Sequence, residues 1–152
     1  MTDRPTPDEP SVTITEDQQG TEALGEQLAG TLRAGDVVLL SGPLGAGKTA
    51  FVRGLARGLG LGASEVSSPT FTLIHEYRGG RLTLFHVDLY RLTSADAHDL
   101  GLQELGVDDG VTAIEWPERL TRTVTGNVTV KLEPMDDARE SWRRVTITRP
   151  DH

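Results

Sequence analysis

Gly42-Pro-Leu-Gly-Ala-Gly-Lys-Thr49 fits the pattern G-x-x-x-x-G-K-[ST] at every fixed position. An apolar run, Val37-Val-Leu-Leu40, precedes it directly and reads as a buried parallel strand. Ala50 to Leu59 follows it, with Phe51, Val52, Leu55, Ala56 and Leu59 on one helical face. Strand, glycine loop and helix in this order form the context that separates a phosphate-binding loop from a chance match. The plain alternative is a glycine-rich turn carrying a surface lysine. The chain has only two lysines, Lys48 and Lys131, so a lysine at this position is not filler.

The chemistry explains the residue types. Gly42, Gly45 and Gly47 let the backbone wrap closely, because no Cβ holds a phosphate away. Loop amides and the first helical turn would point N–H groups at the anion, aided by the helix dipole. Lys48 is expected to reach the β- and γ-phosphates, and the Thr49 hydroxyl to ligate Mg²⁺.

Outward from the loop, 152 residues suit one compact domain, with an aliphatic core since only 5% are aromatic. A net charge of −8 argues against a nucleic-acid grip by this domain alone. With no cysteine there is no disulfide framework and no thiolate metal site. No apolar run approaches membrane-spanning length, and the N-terminus lacks a signal peptide's apolar segment. A soluble cytoplasmic protein is the default expectation.

Residues 1–10 carry Pro5, Pro7 and Pro10 and read as a disordered leader, leaving 11–149 as a single domain. Ser11 to Thr15 alternates like a short strand, and Thr15-Glu-Asp-Gln18 resembles a capping box. A helix to about Leu32 follows from Leu24, Leu28 and Leu32. Gly60-Leu-Gly62 stops the helix after the loop. In Val66 to Thr72, Thr70 lies where a hydroxyl could serve Mg²⁺ or an attacking water, or where an ordinary loop is stiffened by Pro69. Phe71 to Tyr77 and Leu82 to Asp88 flank Gly79-Gly80 and suggest a hairpin.

Asp88 ends one strand-like run and Glu115 ends another, Val111 to Glu115. An acid at a strand's carboxyl end is where a Mg²⁺-organising carboxylate belongs, so the two compete for that role. Trp116 follows Glu115 and either covers a ligand or fills core; Pro117 ends the strand. A helix is expected from the Thr93-Ser94 cap through Leu105. Gly126 to Leu132 and Arg144 to Thr148 read as a terminal antiparallel pair, and Arg139 in their connection could fold back onto a nucleotide. The histidines at 75, 86, 98 and 152 lack zinc-site spacing and read as surface or core packing. There is no internal repeat.

Three function classes fit a phosphate loop here. A guanine-reading Asn-Lys-x-Asp element is missing, since Asn127 is the only asparagine, so a Ras-like GTPase is unsupported. A small-molecule kinase would want an arginine-rich lid, for which Arg119-Leu-Thr-Arg122 is the one candidate. A nucleotide-sensing module acting on partners is the third.

Four segments in order carry a resemblance: Gly42 to Thr49, Ser68-Pro-Thr-Phe71, His86-Val-Asp-Leu-Tyr-Arg91 and Ile114-Glu-Trp-Pro117. Together they resemble the TsaE family, small P-loop ATPases of bacterial tRNA N6-threonylcarbamoyladenosine (t6A) biosynthesis, over nearly all of 11–148. The resemblance implies an α/β fold of the P-loop NTPase type, a mostly parallel sheet flanked by helices. It implies ATP/ADP and Mg²⁺ as ligands and weak, partner-dependent ATPase activity. The implied partners are the TsaD and TsaB proteins, which transfer the threonylcarbamoyl group to tRNA; ATP would reset that complex, and tRNA would be met only indirectly. Carried over by residue, Gly42 and Gly45, Ala46, Gly47, Lys48 and Thr49 would hold phosphates. Thr49 and Glu115 would hold Mg²⁺, with Asp88 as a second acid. Gln18 and Arg139 would approach the nucleotide, and Trp116 would lie near the site.

Overall fold

The computed structural model describes residues 10–43, 45–62, 74–90, 101–102, 104–120 and 128–149. Residues 1–9 of the expected leader, the Thr70 segment and the Thr93-Ser94 cap lie outside these residues. Among the described residues, seven strands form one sheet in the order β1-β7-β6-β2-β5-β4-β3. They are β1 (Ser11–Thr15), β2 (Val37–Ser41), β3 (Ile74–Tyr77), β4 (Thr83–Asp88), β5 (Gly110–Glu115), β6 (Val128–Pro134) and β7 (Arg143–Thr148). Among the described residues there are two α-helices, α1 (Gln18–Ala29) and α2 (Lys48–Gly58), and two short 3-10 turns.

The four central strands, β6, β2, β5 and β4, run parallel. Antiparallel strands close both sides: β3 beside β4, and β7 then β1 beside β6. The expected parallel sheet is therefore the centre, and the expected C-terminal pair is β6 with β7. Strand β2 lies between β5 and β6, so its carboxyl end opens where neighbouring connections diverge. Ligands of open α/β sheets sit at such a point.

Alternation along the strands sorts side chains into two layers. Val38 and Leu40 join α1 and α2 in the larger core with Phe51, Val52, Leu55, Ala113, Val130 and Val145. Val37, Val87 and Ile114 face the other way and pack with Leu89 and Leu102. All five apolar positions expected on one face of the loop helix are buried. Each stabilises the fold by about 1.5–3 kcal/mol for the larger side chains. The two helices touch through glycine: a Cβ on Gly25 would collide with the Phe51 carbonyl, and one on Gly54 with the Glu22 carbonyl. This close approach brings the N-terminal turn of α1 beside the glycine loop, where Thr21 lies 3.7 Å from the place a Gly47 Cβ would take.

Local chemistry departs from three expectations. The N-cap of α1 is Asp17, whose carboxylate accepts from Gly20 N at 2.8 Å. Thr15 stays in β1 and its hydroxyl pairs with Thr21 at 2.9 Å, so no capping box forms. A β-branched residue is well placed at a strand end and leaves the cap to the acid beside it. Helix α1 ends at Ala29, not near Leu32, and Arg81 donates to the carbonyls of Ala29 and Leu32 at 2.7 and 3.2 Å. Those bonds add side-chain donors to main-chain carbonyls at and just beyond the helix end. The expected helix does not reach Leu105: Gly101, Leu102 and residues 104–109 form turns, with Gly101 at φ 68° and Gly106 at φ 65°. Left-handed glycines end a right-handed helix.

Candidate functional site

The loop leaves β2 at Ser41 and enters α2 at Lys48. Gly42 has φ 148° and a Cβ there would collide with the Leu132 carbonyl, so β6 forces a glycine. Gly47, at φ 101°, stands at the N-cap of α2 and offers no side chain. The N–H groups of the first turn are thus not taken up by a capping side chain, which suits an anion.

Lys48 is the first residue of α2 and is only 5% exposed. Its ammonium donates to the carbonyls of Gly42 and Pro43, folding back into its own loop. Nζ also sits 3.8 Å from the centre of the Trp116 ring, a cation–π position. Desolvation holds the Lys48 pKa below its usual 10.5, partly opposed by the charges of Glu115, Glu118 and Asp88.

Parallel pairing of β4 with β5 sets Asp88 beside Glu115, at the carboxyl ends of both strands. Glu115 is 3% exposed and accepts from the Thr49 hydroxyl at 3.3 Å. The same oxygen, Oε2, lies 2.5 Å from His86 Nε2. Asp88 accepts from Tyr90 N at 2.9 Å, which turns the chain at the strand end. Both carboxylates are thus at the site, and Glu115 is bonded to the loop helix through Thr49.

Trp116 has φ 62° and ψ 49°, the one non-glycine residue with positive φ among those described. An L residue held there costs about 1 kcal/mol. The bend carries its ring back over Lys48, and Pro117 starts a short 3-10 turn to Arg119. Tyr90 packs against Trp116 with ring centres 5.0 Å apart and planes inclined at 48°, and the Arg119 guanidinium lies 5.5 and 5.7 Å from the two rings. Arg119, the lid candidate, is therefore laid against aromatics.

Gln18 opens α1 and donates to Glu22 at 3.1 Å. Arg139 is exposed, 3.6 Å from Asp136 and stacked 4.9 Å from the Trp142 ring. Neither is bonded to the described residues of the glycine loop. Arg143, which the sequence did not single out, is. Its Nε donates to Ala46 O at 3.0 Å and its Nη2 to Gly45 O at 3.1 Å. Its Nη1 donates to Glu140 O and Trp142 O at 2.5 and 2.8 Å. One guanidinium thus ties the loop to the β6–β7 connection. His86, read earlier as packing, is buried but bonded to the key acid. Its signal was available: it stands two residues before Asp88, on the same face of a strand.

A parallel-centred sheet with this loop between its middle strand and the next helix is the P-loop NTPase fold. The family model for "Threonylcarbamoyl adenosine biosynthesis protein TsaE" matches residues 15–145. A Treponema pallidum tRNA threonylcarbamoyladenosine biosynthesis protein TsaE is 43% identical over 136 residues, covering 88% of this chain and 97% of its own. A Nostoc protein of the same name is 43% identical over 136 residues, covering 87% of this chain and 82% of its own. The crystal structure of Bacillus subtilis YdiB superposes with a TM-score of 0.72 at 32% identity, covering 94% of this chain and 87% of that one. The chain belongs to the TsaE family, which takes part in t6A biosynthesis on tRNA.

Proposed function

We propose that this protein binds Mg²⁺·ATP on Gly42–Thr49 and hydrolyses it to ADP and phosphate in support of the t6A transferase formed by TsaD and TsaB. One observation carries the reading: Lys48, Thr49 and Glu115 converge at the carboxyl ends of β2 and β5, in a TsaE-family chain.

The donor set suits Mg²⁺. The Thr49 hydroxyl and Glu115 carboxylate are hard oxygens 3.3 Å apart. Among the described residues no group of three or more His, Asp or Glu could hold a metal alone. Mg²⁺ is commonly held by one or two protein oxygens together with nucleotide oxygens. Bound there, it would neutralise charge on the β- and γ-phosphates.

The chain's own residues do the rest. Lys48 must leave the carbonyls of Gly42 and Pro43 to meet the phosphates, so binding exchanges an internal cap for a ligand. The loop amides and Lys48 then face the charge that develops on the γ-phosphoryl group. Glu115 and Asp88 are the acids available to orient water for in-line attack; the bond between the γ-phosphorus and the bridging oxygen breaks, and ADP leaves. Slow hydrolysis is expected of the isolated protein, in which Arg119, the lid candidate, is laid on Trp116 and Tyr90. The net charge of −8 fits a protein that meets tRNA through its partners, in the cytoplasm. No helix among the described residues is long and apolar enough to cross a membrane.

Titration with Mg²⁺·ATP, followed by phosphate release with and without TsaD–TsaB, tests this. Saturable binding and stimulated release are expected. Absence of a complex at millimolar nucleotide overturns the ATP assignment, and an unchanged rate overturns the partner assignment. Phosphate found on a small-molecule acceptor would point to a kinase instead.

A further inference from the structure

His86 is fully buried, and hydrolysis as written above does not use it. Its place on β4 sets its Nε2 2.5 Å from Glu115 Oε2, the oxygen that also accepts from Thr49. Its Nδ1 is buried with no hydrogen-bond partner among the described residues.

These facts decide which nitrogen carries the proton. With the Glu115 carboxylate 2.5 Å away, Nε2 is placed to donate, because two facing lone pairs would repel. Nδ1 is then a bare lone pair, an easier group to bury than an unpaired N–H. Even so, a leucine would fill this space with no orphan nitrogen at all. The imidazole is therefore explained by what its N–H does. It holds the carboxylate in one rotamer against Thr49, the second residue of α2.

We propose that His86 is a positioning residue for Glu115, presetting the carboxylate beside the Thr49 hydroxyl so that Mg²⁺·ATP meets oxygens already in place. The inference rests on the Mg²⁺·ATP reading above. Partners that orient a metal-binding side chain typically contribute 10–100-fold to metal affinity or activity.

The test compares nucleotide affinity with Mg²⁺ and with EDTA in the native protein, His86→Leu and His86→Gln. The native protein is expected to gain affinity with Mg²⁺. His86→Leu should lose about 10–100-fold of that gain, with unchanged affinity in EDTA. His86→Gln, whose side-chain amide keeps an N–H donor, should restore part of it. If the native protein binds no Mg²⁺·ATP, the functional reading itself fails. If it does, and His86→Leu keeps the full gain or loses affinity equally in EDTA, the positioning role is overturned. Should the leucine variant not fold, ¹⁵N spectra of the native imidazole decide the matter. A proton on Nε2 supports the proposal, and a proton on Nδ1 overturns it.

Discussion

Two cations hold the glycine loop from opposite sides, and they do so by different means. Lys48 comes from inside, at the start of α2, and caps the carbonyls of Gly42 and Pro43. Arg143 comes from outside, at the start of β7, and holds the carbonyls of Gly45 and Ala46. Lys48 is buried and its charge is disfavoured by desolvation, whereas Arg143 is half-exposed and makes four bonds to main-chain oxygens. A lysine is a point charge on a flexible stem that can change partners, while a guanidinium is a planar fork suited to fixed ones. On the proposed reading, the inner cation would be the movable part of the site and the outer one its frame.

The most direct way to break this contrast is Lys48→Met. ATP binding should be lost altogether, measured by calorimetry, while the melting temperature stays level or rises because a desolvated charge is gone. The pH dependence gives a second handle. A lowered lysine pKa means the unfolded chain binds that proton more tightly than the folded one. Native stability should therefore rise with pH between the lowered value and 10.5, and denaturation of the methionine variant should lack that rise. Next in size, Glu115→Gln should slow Mg²⁺-dependent phosphate release by about 100-fold while leaving the fold intact, checked by single-turnover assay and circular dichroism. Arg143→Ala should weaken ATP binding about tenfold, near 1.4 kcal/mol, with the loop still built but less fixed. Arg143→Lys should recover little, since a point charge cannot replace the fork. Arg139→Ala should change affinity by about twofold at most, because its side chain is exposed and paired only with Asp136 and Trp142.

The same contrast explains what the sequence disclosed. Lys48, Thr49 and their glycines were legible because phosphate chemistry imposes residue types at fixed spacing within one short segment. Asp88 and Glu115 were legible because each ends an apolar run, and parallel register then sets them side by side. Arg143 was not, because its role arises from long-range pairing: β7 lies between β1 and β6, opposite Thr15 and Pro134. The alternation of Arg144 to Thr148 signals a strand there, but not which loop carbonyls the Arg143 side chain reaches. The described end of the helix expected through Leu105, residues 101–102 and 104–105, is turn, and the capping box at Thr15 failed, both for local reasons. Gly101 and Gly106 adopt left-handed backbone, and Asp17 outcompetes Thr15 as a cap. Thr70 lies outside the described residues, and its role stays with the expectation drawn from its position.

The indole of Trp116, lying 3.8 Å under the Lys48 ammonium, makes the molecule its own optical probe. A nearby ammonium alters tryptophan emission, so withdrawal of Lys48 toward a nucleotide would change the colour or brightness of that one ring. With Trp142 replaced by phenylalanine, a single fluorophore would report, in real time and without any label, when the loop gives up its internal cap.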